Sequence, residues 1–551
     1  MTFKKFSNYL EQLEDTPSTN DMVEVLATML SELELDETAQ AVYLSLGHLG
    51  PLYQPILFNM SEKLVLRAIA QAFNINEKDV STKNKTLADI GDLALELHPG
   101  TDVKTHSVRD VYQLLVAIAI DEGEGSVERK IAKTADLLTQ LSPLESKFVA
   151  RIIVDKLRMG FGEATIMDAL SWMVNHDKKA RKEIEYAFNV FPDIGQIAHN
   201  IKKDGLNCLT DITIAPGVPI RPAKSERLAT PEKIVEKLEE FAVEPKMDGF
   251  RAQIHVWSDN GKRQVKIYSR NLNDTTAMFP EIVKSAKQLP IKSGVFDSEA
   301  IAYNPETDEF LPFQETVKRR RKHGVEQMSS EIPLRAFIFD ALYLDGVSLL
   351  DEPFTERFSK MTSIGIPEES VIEVTRHTVV NTVEKLRTLF DQYVSEGLEG
   401  IMCKKMDATY QAGARNFNWV KYKRATDKEL DDTIDAIVLG YYFGRGQRAR
   451  FGIGAFLIGV MNKETGTIES LAKVGTGLTD EEWVSIREKI DSYRVGSKPS
   501  TYNIHANLTC DVWVKPAVVV EIAADEITRS PSHSASGSYF KEDGVGLALR
   551  F

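Results

Sequence analysis

The chemistry is concentrated in the stretch Glu244-Pro245-Lys246-Met247-Asp248-Gly249-Phe250-Arg251. A lysine stands at a strand entrance with an acid two residues before it, another two after, a glycine for the turn and an arginine close behind. That is a setting for a nucleophilic amine, which attacks only after losing its extra proton, a loss that burial or cationic neighbours promote. From Phe250 the apolar residues Phe250, Ala252, Ile254 and Val256 alternate with Arg251, Gln253 and His255, the period of a half-buried strand. Asn260-Gly261 is a hairpin signal, and Val265 and Ile267 open a second alternating run that ends Tyr268-Ser269-Arg270. With Asn260 and Gly261 as the turn, 256 pairs with 265, 254 with 267 and 251 with 270. Arg251 and Arg270 then share a polar face beside Lys246. Like charges opposite one another destabilise a sheet, so the pair reads either as a solvated face or as a cradle for an anion, phosphate being the simplest.

Further segments carry candidate chemistry. Gly294 to Ile301 reads as a strand with Asp297 and Glu299 on one face, a pattern shared by surface features, salt bridges and sites. Arg335 to Gly346 reads as a buried strand and turn, in which Phe339 would be core. In Glu396-Gly397-Leu398-Glu399-Gly400-Ile401-Met402-Cys403-Lys404 the glycines around Glu399 either make a plain turn or leave the backbone free to aim a carboxylate. A hard oxygen ligand of that kind suits Mg²⁺, which takes few protein carboxylates. Tyr410, Gly413 and Arg415 precede Trp419-Val420-Lys421-Tyr422-Lys423, where Lys421 and Lys423 share a strand face, either solvated or relieved by an anion.

Together, and in this order, these segments resemble the Lys-x-Asp-Gly motif and its companions in the covalent nucleotidyltransferases. Nearly the whole chain resembles the ATP-dependent DNA ligases of the archaeal and eukaryotic replicative type; Leu311-Pro312-Phe313-Gln314-Glu315 and the basic run after it match as well. The resemblance implies that Lys246 attacks the α-phosphate of ATP and carries the adenylate, which passes to the 5′-phosphate of a nick before the 3′-hydroxyl displaces AMP. It places Glu244, Arg251, Arg270, Glu299, Phe339, Arg415 and Lys421 on the nucleotide: Glu299 at the ribose, Phe339 flat against adenine, Lys421 on the α-phosphate. Stacking of that kind contributes about 1 to 3 kcal/mol per base. Glu399 and Glu299 are the implied Mg²⁺ ligands, ATP and Mg²⁺ the cofactors, and nicked double-stranded DNA the substrate, with a sliding clamp as recruiting partner and a monomer as the working state. Replication, repair and recombination are the roles implied.

The elements that position these residues divide the sequence into parts. With 551 residues, about three or four domains are expected. The first two hundred residues read as helical: Asp21 to Leu35 and Ser142 to Leu157 carry apolar residues at three- and four-residue spacing, and Ser142, Pro143 and Glu145 form a capping box with proline at the first helical position. Glycine punctuates Gly47-His48-Leu49-Gly50 and Leu157-Arg158-Met159-Gly160-Phe161-Gly162. These features alone describe a helical scaffold; the resemblance makes it a domain gripping duplex DNA through backbone N–H groups on phosphates. Pro216-Gly217-Val218-Pro219-Ile220-Arg221-Pro222 is a linker by composition. Ala223-Lys224-Ser225, after it, departs from the family's Met-Leu-Ala, so locally altered packing is expected there. After about Asp432 come short strands, Thr433 to Gly440, Ala455 to Met461, Thr467 to Val474, Asp511 to Val514 and Val518 to Ile522, with a Lys463-to-Gly466 turn and a helix from a Thr479/Glu482 capping box to near Tyr493. Short strands around one helix suggest a small barrel. The expected architecture is therefore multidomain: an all-α DNA-binding domain over 1–215, an α+β adenylation domain with antiparallel sheets over 216–426, and an OB-fold β-barrel over 427–551.

Composition sets the limits. Hydrophobic content of 43% and charged content of 27% are those of a globular protein without a membrane span, and the N-terminus lacks a signal-peptide core. Cys208, Cys403 and Cys510 form neither a disulfide framework nor a zinc pattern, which fits a reducing cytoplasm, with nucleoid association implied by the DNA substrate. The cysteines also lack the zinc cluster of an NAD-dependent ligase. A net charge of −14 argues against a DNA partner on its face, yet Lys318-Arg319-Arg320-Arg321-Lys322 and Lys421 to Arg424 concentrate positive charge. In the family a strand like Gly546 to Phe551 runs on into a basic motif that orients pyrophosphate. Without it, self-adenylation is expected to suffer more than sealing of an already adenylated nick. Two alternatives share parts of this pattern: another covalent nucleotidyltransferase, of the RNA ligase or capping type, and a non-catalytic DNA-binding clamp.

Overall fold

Apolar spacing in the N-terminal region produces helices. Among the described residues twelve α-helices lie between Phe3 and Asp204. In helix Thr19–Glu32 the residues Met22, Val23, Leu26, Ala27, Met29 and Leu30 are buried, a helical stripe; the helix starts earlier than its pattern, and Leu35 belongs to a short 3₁₀ turn. Helix Pro143–Ile153 opens on the expected capping box, with Ser142 accepting from the Glu145 N–H and the Glu145 carboxylate accepting from the Ser142 N–H, and it closes four residues before Leu157.

The computed structural model describes residues 1–551 except 88, 101–102, 158, 305–308, 312, 320–324, 397, 424–432, 445–449, 525, 531, 537–545 and 551. By packing, the chain divides into two compact units: residues 1–11, 22–157 and 163–424, and residues 12–21, 158–162 and 425–551.

The first unit holds two sheets besides its helices. One takes strands β1 (Lys224–Arg227), β2 (Phe241–Lys246), β9 (Thr378–Val380), β10 (Gly400–Lys405) and β11 (Arg415–Lys423) in the order β1-β11-β10-β2-β9. The other takes β3 (Phe250–Asp259), β4 (Lys262–Ser269), β5 (Gly294–Ala302), β6 (Leu334–Leu344) and β7 (Val347–Ser348) in the order β4-β3-β5-β6-β7, with β8 (Ile372–Val374) beside β6. The β3–β4 register is the expected one, 254 with 267 and 256 with 265, and Asn260 (φ 48°) and Gly261 (φ 75°) form the turn.

One expectation about β3 is overturned. The strand is buried on both faces rather than one: Ala252, Ile254 and Val256 enter the main core with Phe296 and Ile338, while Gln253 and His255 are also buried. The second face is covered by the proline-rich segment 216–222, which is therefore a packed strap and not a free linker. Gln253 accepts from the Ile220 N–H at 2.7 Å and donates to the Ile220 carbonyl at 3.0 Å, and His255 accepts from the Gly217 N–H at 3.2 Å. Burial pushes the His255 imidazole down to about 3, so it stays neutral. Polar side chains that bond a crossing backbone keep a polar period in the sequence while lying inside.

The basic run after residue 317 also differs from a solvated loop where it is described. Arg319 is buried, paired with Glu281 at 2.6 Å and donating to the Ile332 carbonyl at 3.0 Å, and Lys318 pairs with Glu315. Arg320, Arg321, Lys322, Arg424, Pro312 and Phe551 lie outside the described residues.

The C-terminal part of the second unit is a small β domain, as expected. Strands β12 (Ile434–Tyr442), β13 (Ala455–Met461) and β14 (Ile468–Val474) form an antiparallel meander, with Gly466 (φ 68°) in the turn before β14. Helix Asp480–Asp491 starts at the Thr479/Glu482 capping box and buries Trp483 against Phe456.

Candidate active site

The two sheets of the first unit enclose a cavity of about 400 Å³ lined from β2, β3, β5, β6, β10 and β11, within the size of small-molecule sites. Lys246 ends β2, and the chain then turns through Gly249 into β3. A Cβ at Gly249 would lie 2.4 Å from the Ala300 carbonyl oxygen, so the glycine lets the turn pass against β5. Glu399 stands opposite, before β10, its N–H donating to the Lys246 carbonyl at 3.1 Å. Gly400, paired with Lys246, has φ 151° and no room for a Cβ, which would meet the Tyr422 carbonyl at 2.4 Å. These two glycines bring the Lys246 amine and the Glu399 carboxylate into an ion pair, and Lys423 joins Glu399 at 2.6 Å. Burial works to raise the Glu399 carboxyl, but the two lysines outweigh it and hold it below the ordinary carboxylate range.

Around this pair positive charge converges. Lys421 lies on the same strand face as Lys423, and its ammonium is pushed below the ordinary lysine range by burial and then by Lys423, Lys246, Arg415 and Arg270. Arg415 and Arg270 are exposed and line the cavity, as does Asn271. Five cations without equal compensation make an anion site, and lysines and arginines at such spacing suit phosphate oxygens.

Arg251 lines the cavity, but its charge is met inside the protein. Instead of facing Arg270 across an anion, its guanidinium pairs with buried Asp297 at 2.7 Å and donates to the Ala223 carbonyl at 2.8 Å, while the Tyr410 hydroxyl donates to the same carboxylate. Burial alone would lower the Arg251 guanidinium; Asp297 outweighs it and raises it. The register was right, but β5 supplies a counter-charge that the hairpin alone could not reveal. Arg251 lies 5.5 Å from the centre of the Phe339 ring and 5.8 Å from that of Trp419.

Phe339 is half-buried: it lines the cavity and packs from that side against the buried cluster of Tyr410 and Trp419. Asp297 pairs with Asp340 and Ser298 with Ile338, so Phe339 is the extra residue of a β-bulge, a device that re-aims a side chain. Glu299 shares the Arg251 face of β5, and burial raises its carboxyl to about 7, with Lys246 and Arg251 only partly offsetting. Glu244, two residues before Lys246 on β2, is buried, and burial raises it to about 7 against the pull of Lys404.

Lys404 is the main residue that sequence reasoning left without a role. Its buried ammonium pairs with Glu244 at 2.8 Å, donates to the Phe339 carbonyl at 2.6 Å and lies 4.9 Å from the Phe339 ring centre. A lysine in the apolar run Ile401-Met402-Cys403, two residues from Met402 on the same face, was the available signal. Met402, Thr375 and Trp419 complete that end of the cavity. The two ends differ chemically: aromatic and apolar walls with one buried ion pair at one, lysines, arginines and carboxylates at the other. Such a cavity accepts a flat aromatic group joined to phosphates.

Comparison with known proteins gives a consistent picture. A family model described as ATP dependent DNA ligase domain matches residues 222–423, one described as DNA ligase N terminus matches 2–171, and one described as ATP dependent DNA ligase C terminal region matches 449–551. The chain is 43% identical over 552 residues to a probable DNA ligase of Dictyoglomus turgidum, covering 100% of this chain and 93% of that one. It is 36% identical to DNA ligase 2 of Thermofilum pendens and 34% identical to DNA ligase 1 of Methanosarcina mazei, over 100% of this chain and 93% and 95% of theirs. Among solved structures, Pmar-Lig_PreS3 shares the fold, with a TM-score of 0.55 at 19% identity over 99% of this chain and 97% of that one.

Proposed function

The chain belongs to the ATP-dependent DNA ligases, and from that premise we propose how its own residues divide the work of sealing a nick. The full-length match to proteins named DNA ligase sets aside the RNA-joining, capping and non-catalytic alternatives. The Lys246 amine, after its extra proton passes to water, attacks the α-phosphorus of ATP; the N–P bond forms, the bond to the bridging oxygen breaks and pyrophosphate leaves. A 5′-phosphate oxygen at the nick attacks the same phosphorus and releases Lys246, and the 3′-hydroxyl then loses its proton and displaces AMP. Splitting one condensation into such transfers is covalent catalysis.

In this reading adenine lies against Phe339 with Glu244 at the base, and Glu299 meets the ribose. Lys421, Arg415 and Arg270 hold the phosphates and stabilise the charge of transfer. Arg251, its charge met by Asp297, acts from beneath as the support of Phe339. Glu299, which lines the cavity, and Glu399, paired with Lys246 beside it, offer two carboxylate donors for a divalent cation, and Mg²⁺ takes one or two of these together with phosphate oxygens. Bound there, Mg²⁺ would neutralise phosphate charge. The assignment extends to a helical DNA-binding domain over 1–215, an adenylation domain over 216–426 and an OB-fold domain over 427–551, and to a cytoplasmic, nucleoid-associated monomer recruited by a sliding clamp. No helix among the described residues is long and apolar enough to cross a membrane.

The observation that carries the reading is the convergence of Lys423, Lys246, Arg415 and Arg270 on Lys421 beside the Lys246–Glu399 pair. Incubation with α-labelled ATP should give acid-labile, alkali-stable label on the protein and joined DNA, both lost in Lys246→Ala. Robust labelling of that variant would contradict the assignment.

A further inference from the structure

The turn that delivers Arg270 and Asn271 to the cavity is strained, and its Leu272 shares a small buried cluster with a residue more than two hundred positions earlier. Between Ser269 and Asn273 the chain reverses with the Leu272 N–H donating to the Ser269 carbonyl at 2.8 Å and the Ser269 N–H to the Asn273 carbonyl at 2.9 Å. Closing that reversal puts Leu272 at φ 64°, the left-handed region that a branched L side chain avoids. Such a residue persists only where its surroundings over-determine it. Here the surroundings are Tyr53, Tyr268 and Val218: Leu272 is 5% exposed and packs in one cluster with Tyr53 and Tyr268.

Tyr53 lies between helices Thr38–Ser45 and Glu62–Ala72, in a segment that is itself fixed at two points. The Tyr112 hydroxyl donates to the Leu49 carbonyl at 2.6 Å, and the buried Lys130 ammonium donates to the Phe58 carbonyl at 2.7 Å. The aromatic ring is thus presented by the helical region as a firm surface. On the other side Tyr268 donates to the Gly217 carbonyl and stacks edge-on against His255, so the same cluster binds the strap over β3.

We propose that Tyr53 is a positioning residue for Arg270: by covering Leu272 it holds the strained 269–273 turn closed, so that docking of the helical region aims Arg270 and Asn271 at the nucleotide phosphates. The proposal rests on the reading above that Arg270 contacts those phosphates. It makes nucleotide capture depend on a residue of the segment expected to grip DNA.

The test uses the full chain and measures label uptake from α-labelled ATP against ATP concentration. Tyr53→Ala should lower kcat/KM for ATP about tenfold, the factor that one residue's left-handed strain corresponds to, mostly through KM. Leu272→Gly in the Tyr53→Ala background should restore most of the loss, because glycine adopts the turn without support; a purely structural loss of the helical region would not be rescued there. Arg270→Ala should produce a similar defect that Tyr53→Ala does not deepen. Were Arg270→Ala impaired while Tyr53→Ala behaved as the parent, the strut alone would be overturned. A normal Arg270→Ala would overturn both the strut and the phosphate assignment, and failure of Leu272→Gly to rescue would overturn the strain argument.

Discussion

Replacing Asp297 by asparagine separates two parts that Arg251 could play. Asp297 is wholly buried and accepts from the Arg251 guanidinium at 2.7 Å and from the Tyr410 hydroxyl. Asparagine keeps the shape and an acceptor for Tyr410 but leaves a guanidinium charge uncompensated between Phe339 and Trp419. Removing one partner of a buried pair costs about 3–5 kcal/mol, whereas replacing both by apolar residues of similar volume is close to neutral. Asp297→Asn should therefore move the urea transition, followed by tryptophan fluorescence, by about 3–5 kcal/mol, while Arg251→Met with Asp297→Leu recovers most of the stability. If Arg251 supports Phe339, Asp297→Asn should also raise the KM for ATP. A guanidinium that serves the phosphates and is restrained by Asp297 would instead be released to bind them, and KM would fall. A loss below about 1 kcal/mol, the range of exposed pairs, or a lowered KM, would refute the support role.

Glu299 gives a pH prediction. Its carboxyl is raised to about 7 by burial, so between the ordinary carboxylate range and pH 7 the folded state holds a proton the unfolded state has lost. This contribution to stability is present at low pH and lost as pH rises through about 7. Activity runs the other way, because a carboxylate serves a cation only when ionised: the acid limb of the pH–rate profile should fall near pH 7, move lower as Mg²⁺ is raised, and vanish in Glu299→Gln. A limb unmoved by Mg²⁺ contradicts the metal role. Phe339→Ala should weaken ATP capture by about 1–3 kcal/mol, seen as a raised KM, and an unchanged KM would remove Phe339 from the base. Gly249→Ala puts a Cβ 2.4 Å from a backbone oxygen; a loss of about 1–3 kcal/mol in the same urea assay is expected, and an unaltered transition would show that the β2–β3 turn has room.

Much of the architecture was legible because its signals are local. The Asn260-Gly261 turn fixed the β3–β4 register, and the Ser142/Glu145 and Thr479/Glu482 capping boxes marked helix starts where they occur. The cationic end of the cavity was legible in the same way, since Lys421 and Lys423 share a face by strand period alone. Misreadings arose where a residue's partner lies on another strand. Arg251 was matched to the nearest cation across its own hairpin, but its charge is met by Asp297 on β5. For Phe339 the buried-strand pattern pointed to the core and the resemblance to the base; the one-residue bulge that turns its ring to the cavity depends on pairing with β5 and leaves no local mark.

The same reason explains why Lys404 and Tyr53 escaped notice while Lys246 did not. Lys246 sits in a dense local motif because the turn that aims it, through Gly249, lies within a few residues, although the acid it pairs with, Glu399, is 153 positions away. Lys404 acquires meaning only from Glu244 and the Phe339 carbonyl, 160 and 65 positions away, and Tyr53 only from Leu272. Groups that do bond-making chemistry must be placed to a fraction of an ångström, and short-range turns achieve that with few residues. Groups that support them can come from any strand that packs nearby: the Asp297/Glu299 face was visible but its partner Arg251 was not, and Tyr53 in the cluster of Leu272 carries no local pattern at all. Variants at such supports should therefore change KM or stability first and leave the identity of the nucleophile untouched, which is the order of effects expected of Asp297→Asn and Tyr53→Ala against Lys246→Ala.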